Sequence, residues 1–139
     1  VSRLAGQGIV VTGAVPDRRV HLREATIYVA PYLSGSGSHG HLLEAMAAGL
    51  PIITTSQGIE GMKVQAGRDV LVADQPADII DSIQTLLASQ SDRARFAQAA
   101  RHMAEIWYDW NRCLWPLESL YHPLLGPTRT VSEATAVAC

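Results

Sequence analysis

Charge, aromatic side chains and cysteine are all scarce in this chain of 139 residues. Charged residues make up 17% and aromatics 6%, with a single phenylalanine. Eleven basic residues against 13 acidic ones leave a formal charge of −2. No basic run interleaves with aromatics, which argues against nucleic acid as a partner. The cysteines, Cys113 and Cys139, have neither metal-ligand spacing nor the pattern of a disulfide framework. They read as one core thiol and one tail thiol. No apolar stretch approaches the roughly 20 residues that span a bilayer, and the N-terminus lacks the charged and apolar regions of a signal peptide. A soluble, reducing, cytoplasmic setting is expected, with membrane association possible only through parts of a parent protein beyond this chain.

What the chain does have is apolar residues, 47% of the total, in two successive patterns. In the first half, strand-like and helix-like segments alternate, the signature of a parallel sheet covered by helices. Gly8 to Thr12 (GIVVT) reads as a first strand, Asp17 to Ala25 as a helix, and Thr26 to Ala30 (TIYVA) as a second strand stopped by Pro31. After the loop Ser34 to Gly40 comes a helix, His41 to Ala48, with Gly49 as its left-handed cap. Ile52 to Thr55 is a third strand and Val70 to Ala73 a fourth.

The period then changes to 3.6. Ile79, Ile80, Ile83, Leu86 and Leu87 place an apolar stripe on a helix starting near Asp74 and Pro76. Phe96, Ala100, Met103, Ala104 and Trp107 form a second stripe. A third helix, around Leu114 to Tyr121, is interrupted by Pro116, and the chain from Gly126 reads as a tail without period. The fold class is therefore α/β, a partial doubly wound parallel sheet with a helical C-terminal end. A doubly wound domain normally opens with a strand–helix unit whose turn cradles phosphate. Nothing before Gly8 supplies one, so residues 1–125 read as part of a nucleotide-binding domain and 126–139 as a tail.

The chemistry concentrates between Pro31 and Pro51, PYLSGSGSHGHLLEAMAAGLP. Strand, glycine-rich loop and helix follow one another, which puts the loop at the carboxyl edge of the sheet, where open α/β folds bind ligands. Gly35, Gly37 and Gly40 let backbone N–H groups approach an anion, and Ser36 and Ser38 add hydroxyl donors. The helix beginning near His39 offers unpaired N–H groups and a partial positive charge. That set suits a diphosphate; the bland alternative is a plain Gly/Ser surface loop. Glu44 favours the ligand. It lies among Leu42, Leu43, Ala45, Met46 and Ala47, so a partly buried carboxylate in need of partners is expected. A ribose diol can donate to both its oxygens, with charged hydrogen bonds on the order of 1.5–3 kcal/mol each. The competing possibility is that Glu44 lies on the helix's one solvated face.

The run GSGS, then LLEAMAAGLPIITT and GIEGM, resembles the donor-binding core of the retaining group-1 (GT4) glycosyltransferases of GT-B fold. VVTGAVPD is similar to the family's strand and turn near the nucleotide base. AGRDVLVAD resembles its next element, and YDW at Tyr108 to Trp110 its terminal segment, best known from bacterial exopolysaccharide enzymes. Several motifs in order over Gly8 to Tyr121 are stronger than any one alone. The resemblance implies a UDP- or GDP-linked sugar donor and no separate cofactor or metal. It implies that Glu44 holds the ribose, that Gly35, Ser36, Gly37 and Ser38 face the diphosphate and the transferred sugar, and that Gly13 and Val15 lie near the base. Gly58, Ile59, Glu60 and Gly61 would close beside the donor. The family often has a glutamate where this chain has Ser36, and a related subgroup a lysine where it has His41. A neutral imidazole at His41 would stabilise phosphate less than an ammonium, and a protonated one could partly substitute. The implied reaction transfers the sugar to a saccharide or lipid-linked acceptor with retention, chiefly by stabilising the departing phosphate. Catalytic residues and the acceptor domain would lie elsewhere in a parent chain, leaving this chain inactive alone.

Other classes fit less well. GSGSHG from Gly35 to Gly40 also matches the dinucleotide fingerprint, with Glu60 as its acidic residue. For an NAD-dependent oxidoreductase, however, Pro31 to Ser34 separate the strand from the first glycine, and Glu44 goes unexplained. The sequence around Ser38 misses the first glycine of the hydrolase elbow, and His39 with His41 lacks a third metal ligand. A sugar-nucleotide epimerase of the same fold, or a non-catalytic nucleotide-binding or scaffold module, remain the alternatives. Core surface left open by an incomplete domain would favour self-association.

Overall fold

The computed structural model describes residues 5–34 and 39–121. The α/β architecture is the one expected. Three short strands, β1 (Tyr28–Ala30), β2 (Ile52–Thr54) and β3 (Leu71–Val72), form a parallel sheet in the order β1-β2-β3. Tyr28 pairs with Ile52 and Ala30 with Thr54, while Ile53 pairs with Leu71 and Thr54 with Val72. The helices are α1 (Arg18–Glu24), α2 (Gly40–Ala47), α3 (Pro76–Ala88), α4 (Gln90–Trp107) and α5 (Trp110–Tyr121).

Both faces of the sheet are covered, as a parallel sheet requires. Ile52 and Ile53 are consecutive on β2, so they point to opposite faces. Ile52 joins Leu42, Ala45 and Met46 of α2 with Ala100 and Ala104 of α4. Ile53 joins Leu86 of α3 and Phe96 of α4. Leu42, Met46 and Leu86 are wholly buried, and each such side chain contributes about 1.5–3 kcal/mol. The long helix α4 thus serves both cores, its first half against α3 and its second against α2.

The end of α2 is tightly specified. Gly49 adopts φ 72°, its N–H bonds the Met46 carbonyl at 2.9 Å, and the Leu50 N–H bonds the Ala45 carbonyl at 3.2 Å. These two bonds make a Schellman cap, which a side chain with a Cβ would strain. Pro51 then turns the chain into β2.

Several sequence expectations are corrected. Residues 8–12 do not form a strand. They carry only the bridge between Gly6 and Ile9, and Val10 is 85% exposed. An apolar run becomes a strand only beside a partner, and none of the described residues provides one. Ile80, Leu87 and Trp107 are exposed rather than core, because the stripes that pack are Ile79–Ile83–Leu86 and Phe96–Ala100–Ala104. Trp107 instead lies under the Lys63 ammonium, 4.0 Å from ring centroid to Nζ, a cation–π contact. Pro116 sits within a continuous α5. That helix starts earlier than expected because Asp109 Oδ1 accepts from the Asn111 N–H at 3.0 Å and the Arg112 N–H at 3.3 Å. Cys113 is exposed, not a core thiol; the proposed tail and Cys139 lie outside the described residues. Among the described residues, no helix is long and apolar enough to cross a membrane.

The loop before β3 is organised by Asp69, only 2% exposed. Its Oδ2 accepts from the Gln65 N–H at 2.8 Å, and Arg68 donates to both carboxylate oxygens. Burial alone would raise this carboxyl, but the hydrogen bonds from Arg68 and Gln65 outweigh it and hold it below the ordinary value of 3.8. A depressed folded-state value stabilises the protein above the unfolded value and loses that contribution as pH falls through the folded one. Stability from Asp69 is therefore expected to be level from neutral pH down to about 4 and to decline below it. Asp69→Asn should cost about 1–3 kcal/mol at neutral pH and flatten the acid limb, as denaturant titrations at several pH values would read.

Candidate functional site

The site is built from the turn before α1, the α1 helix, α2 and the start of β1. Asp17 caps α1, its Oδ1 accepting from the Arg19 N–H at 2.9 Å. The Arg19 side chain also donates to it, and these bonds hold the Asp17 carboxyl below its usual range. The cap fixes the start of α1, and with it Arg18, over the exposed side of α2.

Arg18 is the residue that sequence reasoning missed. Its Nη2 donates to Glu44 Oε1 at 2.9 Å, and its Nη1 meets the imidazole of His41. The pair is half exposed, 48% for Arg18 and 43% for Glu44. Exposed pairs of this kind contribute about 0.2–1 kcal/mol to stability, so folding gains little from it. No sequence signal links residues 26 positions apart on two helices.

Glu44 is thus more exposed than its apolar neighbours suggest. In an eight-residue helix Leu42, Ala45 and Met46 are buried with Leu43 packed beside them, and Glu44 and Ala47 are exposed. Its exposed surface is also shaped. Glu44 lines a cavity of about 350 Å³ with Thr12, Gly13, Val15, Arg18, Tyr28 and His41. It lines a second, of about 360 Å³, with Val15, Pro16 and Asp17. A third, of about 550 Å³, lies between α2 and the end of α4, reaching Arg101, Tyr108 and Trp110. Burial pushes the Tyr28 phenol up, the neighbouring Tyr32 adds to this, and the Arg18 charge opposes it.

The structure therefore brings Gly13, Val15, His41 and Glu44 to one place. Gly35, Ser36, Gly37 and Ser38 lie outside the described residues. Gly58, Ile59, Glu60 and Gly61 line none of the described cavities that Glu44 lines. Gly58 is buried in a 3₁₀ turn, Gln57–Ile59, while Glu60 and Gly61 are exposed. The segment after this turn is held from the C-terminal side, the Tyr108 hydroxyl accepting from the Lys63 N–H at 2.7 Å. Ser56 anchors its start, with the backbone N–H and hydroxyl both donating to Asp74 Oδ1, at 2.7 and 2.9 Å.

Gly58 has a packing role of its own. A Cβ there would stand 2.8 Å from Tyr32 Cδ2 and closer still to Thr54 Oγ1. Thr54 is buried and donates to the Ala30 carbonyl at 2.9 Å, so it cannot yield without breaking that bond. Gly58→Ala should destabilise the fold by about 1–3 kcal/mol, measurable by chemical denaturation, whereas Gly61→Ala, with open space around it, should cost only the strain of its positive φ.

Comparison with known proteins places the chain in a family. A model of the family described as glycosyl transferases group 1 matches residues 1–89. The spore coat protein SA of Bacillus subtilis (strain 168) is 35% identical over 81 residues, which cover 56% of this chain and 22% of that protein. The chain thus spans about a fifth of the length of the curated relative it matches. No solved structure matches the chain.

Proposed function

Because this chain belongs to the glycosyl transferases of group 1, we propose that it is the donor-binding part of a transferase that moves a sugar from a nucleoside diphosphate to a saccharide or lipid-linked acceptor. The observation that carries the reading is Glu44: an exposed carboxylate held by a cation, lining three cavities at once. Carboxylate oxygens accept hydrogen bonds, and a ribose diol is the donor that matches them. With the ribose on Glu44, the base lies beside Gly13 and Val15, and the diphosphate lies toward Gly35 to Ser38 and the start of α2. The N–H groups that begin a helix favour an anion there, and His41 belongs to the first turn of α2. The base is uracil or guanine, and no separate cofactor is required.

Transfer with retention needs the leaving diphosphate to be stabilised as the glycosidic bond breaks. Part of that stabilisation comes from the N–H groups at the helix start. As the family resemblance implies, the remaining phosphate contacts belong to the first half of the donor-binding domain, and the acceptor site to a separate N-terminal domain of the same parent polypeptide. The chain alone therefore binds a nucleotide without turning over.

The test is direct. Calorimetric titration with UDP and GDP should show binding of one of them, and Glu44→Ala should weaken it roughly tenfold to a hundredfold, the loss of a charged hydrogen bond. Equal affinity in the variant would remove Glu44 from the site, and preferential binding of NAD would replace a transferase with a dinucleotide enzyme.

A further inference from the structure

We propose that Arg18 is a positioning residue of the nucleotide site, setting the Glu44 carboxylate so that it reads the ribose hydroxyls. This rests on Glu44 being the ribose acceptor. A glutamate half exposed on a helix surface has several rotamers within reach, and a carboxylate that wanders gives little selectivity between a ribose and its deoxy analogues. Arg18 restricts it. Its Nη2 fastens Oε1 at 2.9 Å, and among the described residues Oε2 accepts no bond, which leaves it for a hydroxyl. The guanidinium is itself held in place. Nη1 rests on His41, one helical turn before Glu44 on α2, and the α1 backbone that carries Arg18 is fixed by the Asp17 cap.

The planar fork explains why one side chain does both. Two nitrogens of a guanidinium point in set directions, so contact with His41 through one dictates where the other delivers its hydrogen bond. An ammonium could pair with Glu44 but would not transmit the His41 constraint. Since the pair is solvated on both sides, its removal should barely move thermal stability, and what should move is selectivity.

The experiment compares the affinity of the chain for UDP, or for GDP if that is the nucleotide bound, with that for its 2′,3′-dideoxy analogue. The wild type should prefer the ribonucleotide about tenfold or more, and Glu44→Gln should lose most of that preference. Arg18→Met should lose it too, at least several-fold, with affinity for the dideoxy analogue and the thermal midpoint unchanged; Arg18→Lys should restore it only in part. If Glu44→Gln keeps the wild-type preference, or if neither nucleotide binds at millimolar concentration, the ribose reading itself fails. If Glu44→Gln loses the preference while Arg18→Met keeps it, the ribose reading stands and the role of Arg18 is overturned. An equal loss for both nucleotides in Arg18→Met would also overturn it, marking Arg18 as a general attraction for phosphate.

Discussion

Leu42, Ala45 and Met46 anchor α2 between β2 and the second half of α4, and the position of the helix follows from that anchorage. With those three residues buried, the helix has no rotational freedom left, and His41 and Glu44 must face outward toward the turn before α1. The Schellman cap at Gly49 fixes the C-terminal end of α2, and the hydrogen bond from Thr54 to the Ala30 carbonyl ties β2 to β1. Loosening this small core would move the candidate site as a unit, because no other contact between sheet and site is as deeply buried.

Polar groups around this core divide by purpose. Asp69 is deeply buried and fully bonded, and it shapes the loop into β3. Asp17 and Asp109 cap helices, and Asp74 ties Ser56 to the sheet edge. Arg18 and Glu44 fit none of these roles. They are half exposed and cap nothing, and they lie where cavities meet. Side chains ordered without benefit to folding are the ones to associate with a ligand.

Local pattern carried much of the fold in the sequence. Short β-branched runs bounded by Pro and Gly marked β1 and β2, and the 3.6 period marked α3 and α4. What stayed hidden depends on partners distant in the chain. Residues 8–12 have the composition of a strand but no described neighbour to pair with, so they do not form one. Trp107 continues the apolar stripe of α4, yet it falls beyond the edge of the core, where a lysine covers it. Glu44 was legible as chemistry because a carboxylate among Leu and Ala demands an explanation. Its exposure matches the alternative of a single solvated face, which its apolar neighbours made the less favoured reading. Arg18 could not be found at all, because its meaning lies in a contact between two helices.

A crystal structure of the chain with the nucleoside diphosphate it binds would test the account most directly. It should place a ribose hydroxyl at hydrogen-bond distance, about 2.6–3.2 Å, from a Glu44 oxygen, with the base against Gly13 and Val15. A nucleotide seated instead between α2 and α4, stacked near Trp110 with Glu44 still bound only to Arg18, would contradict it.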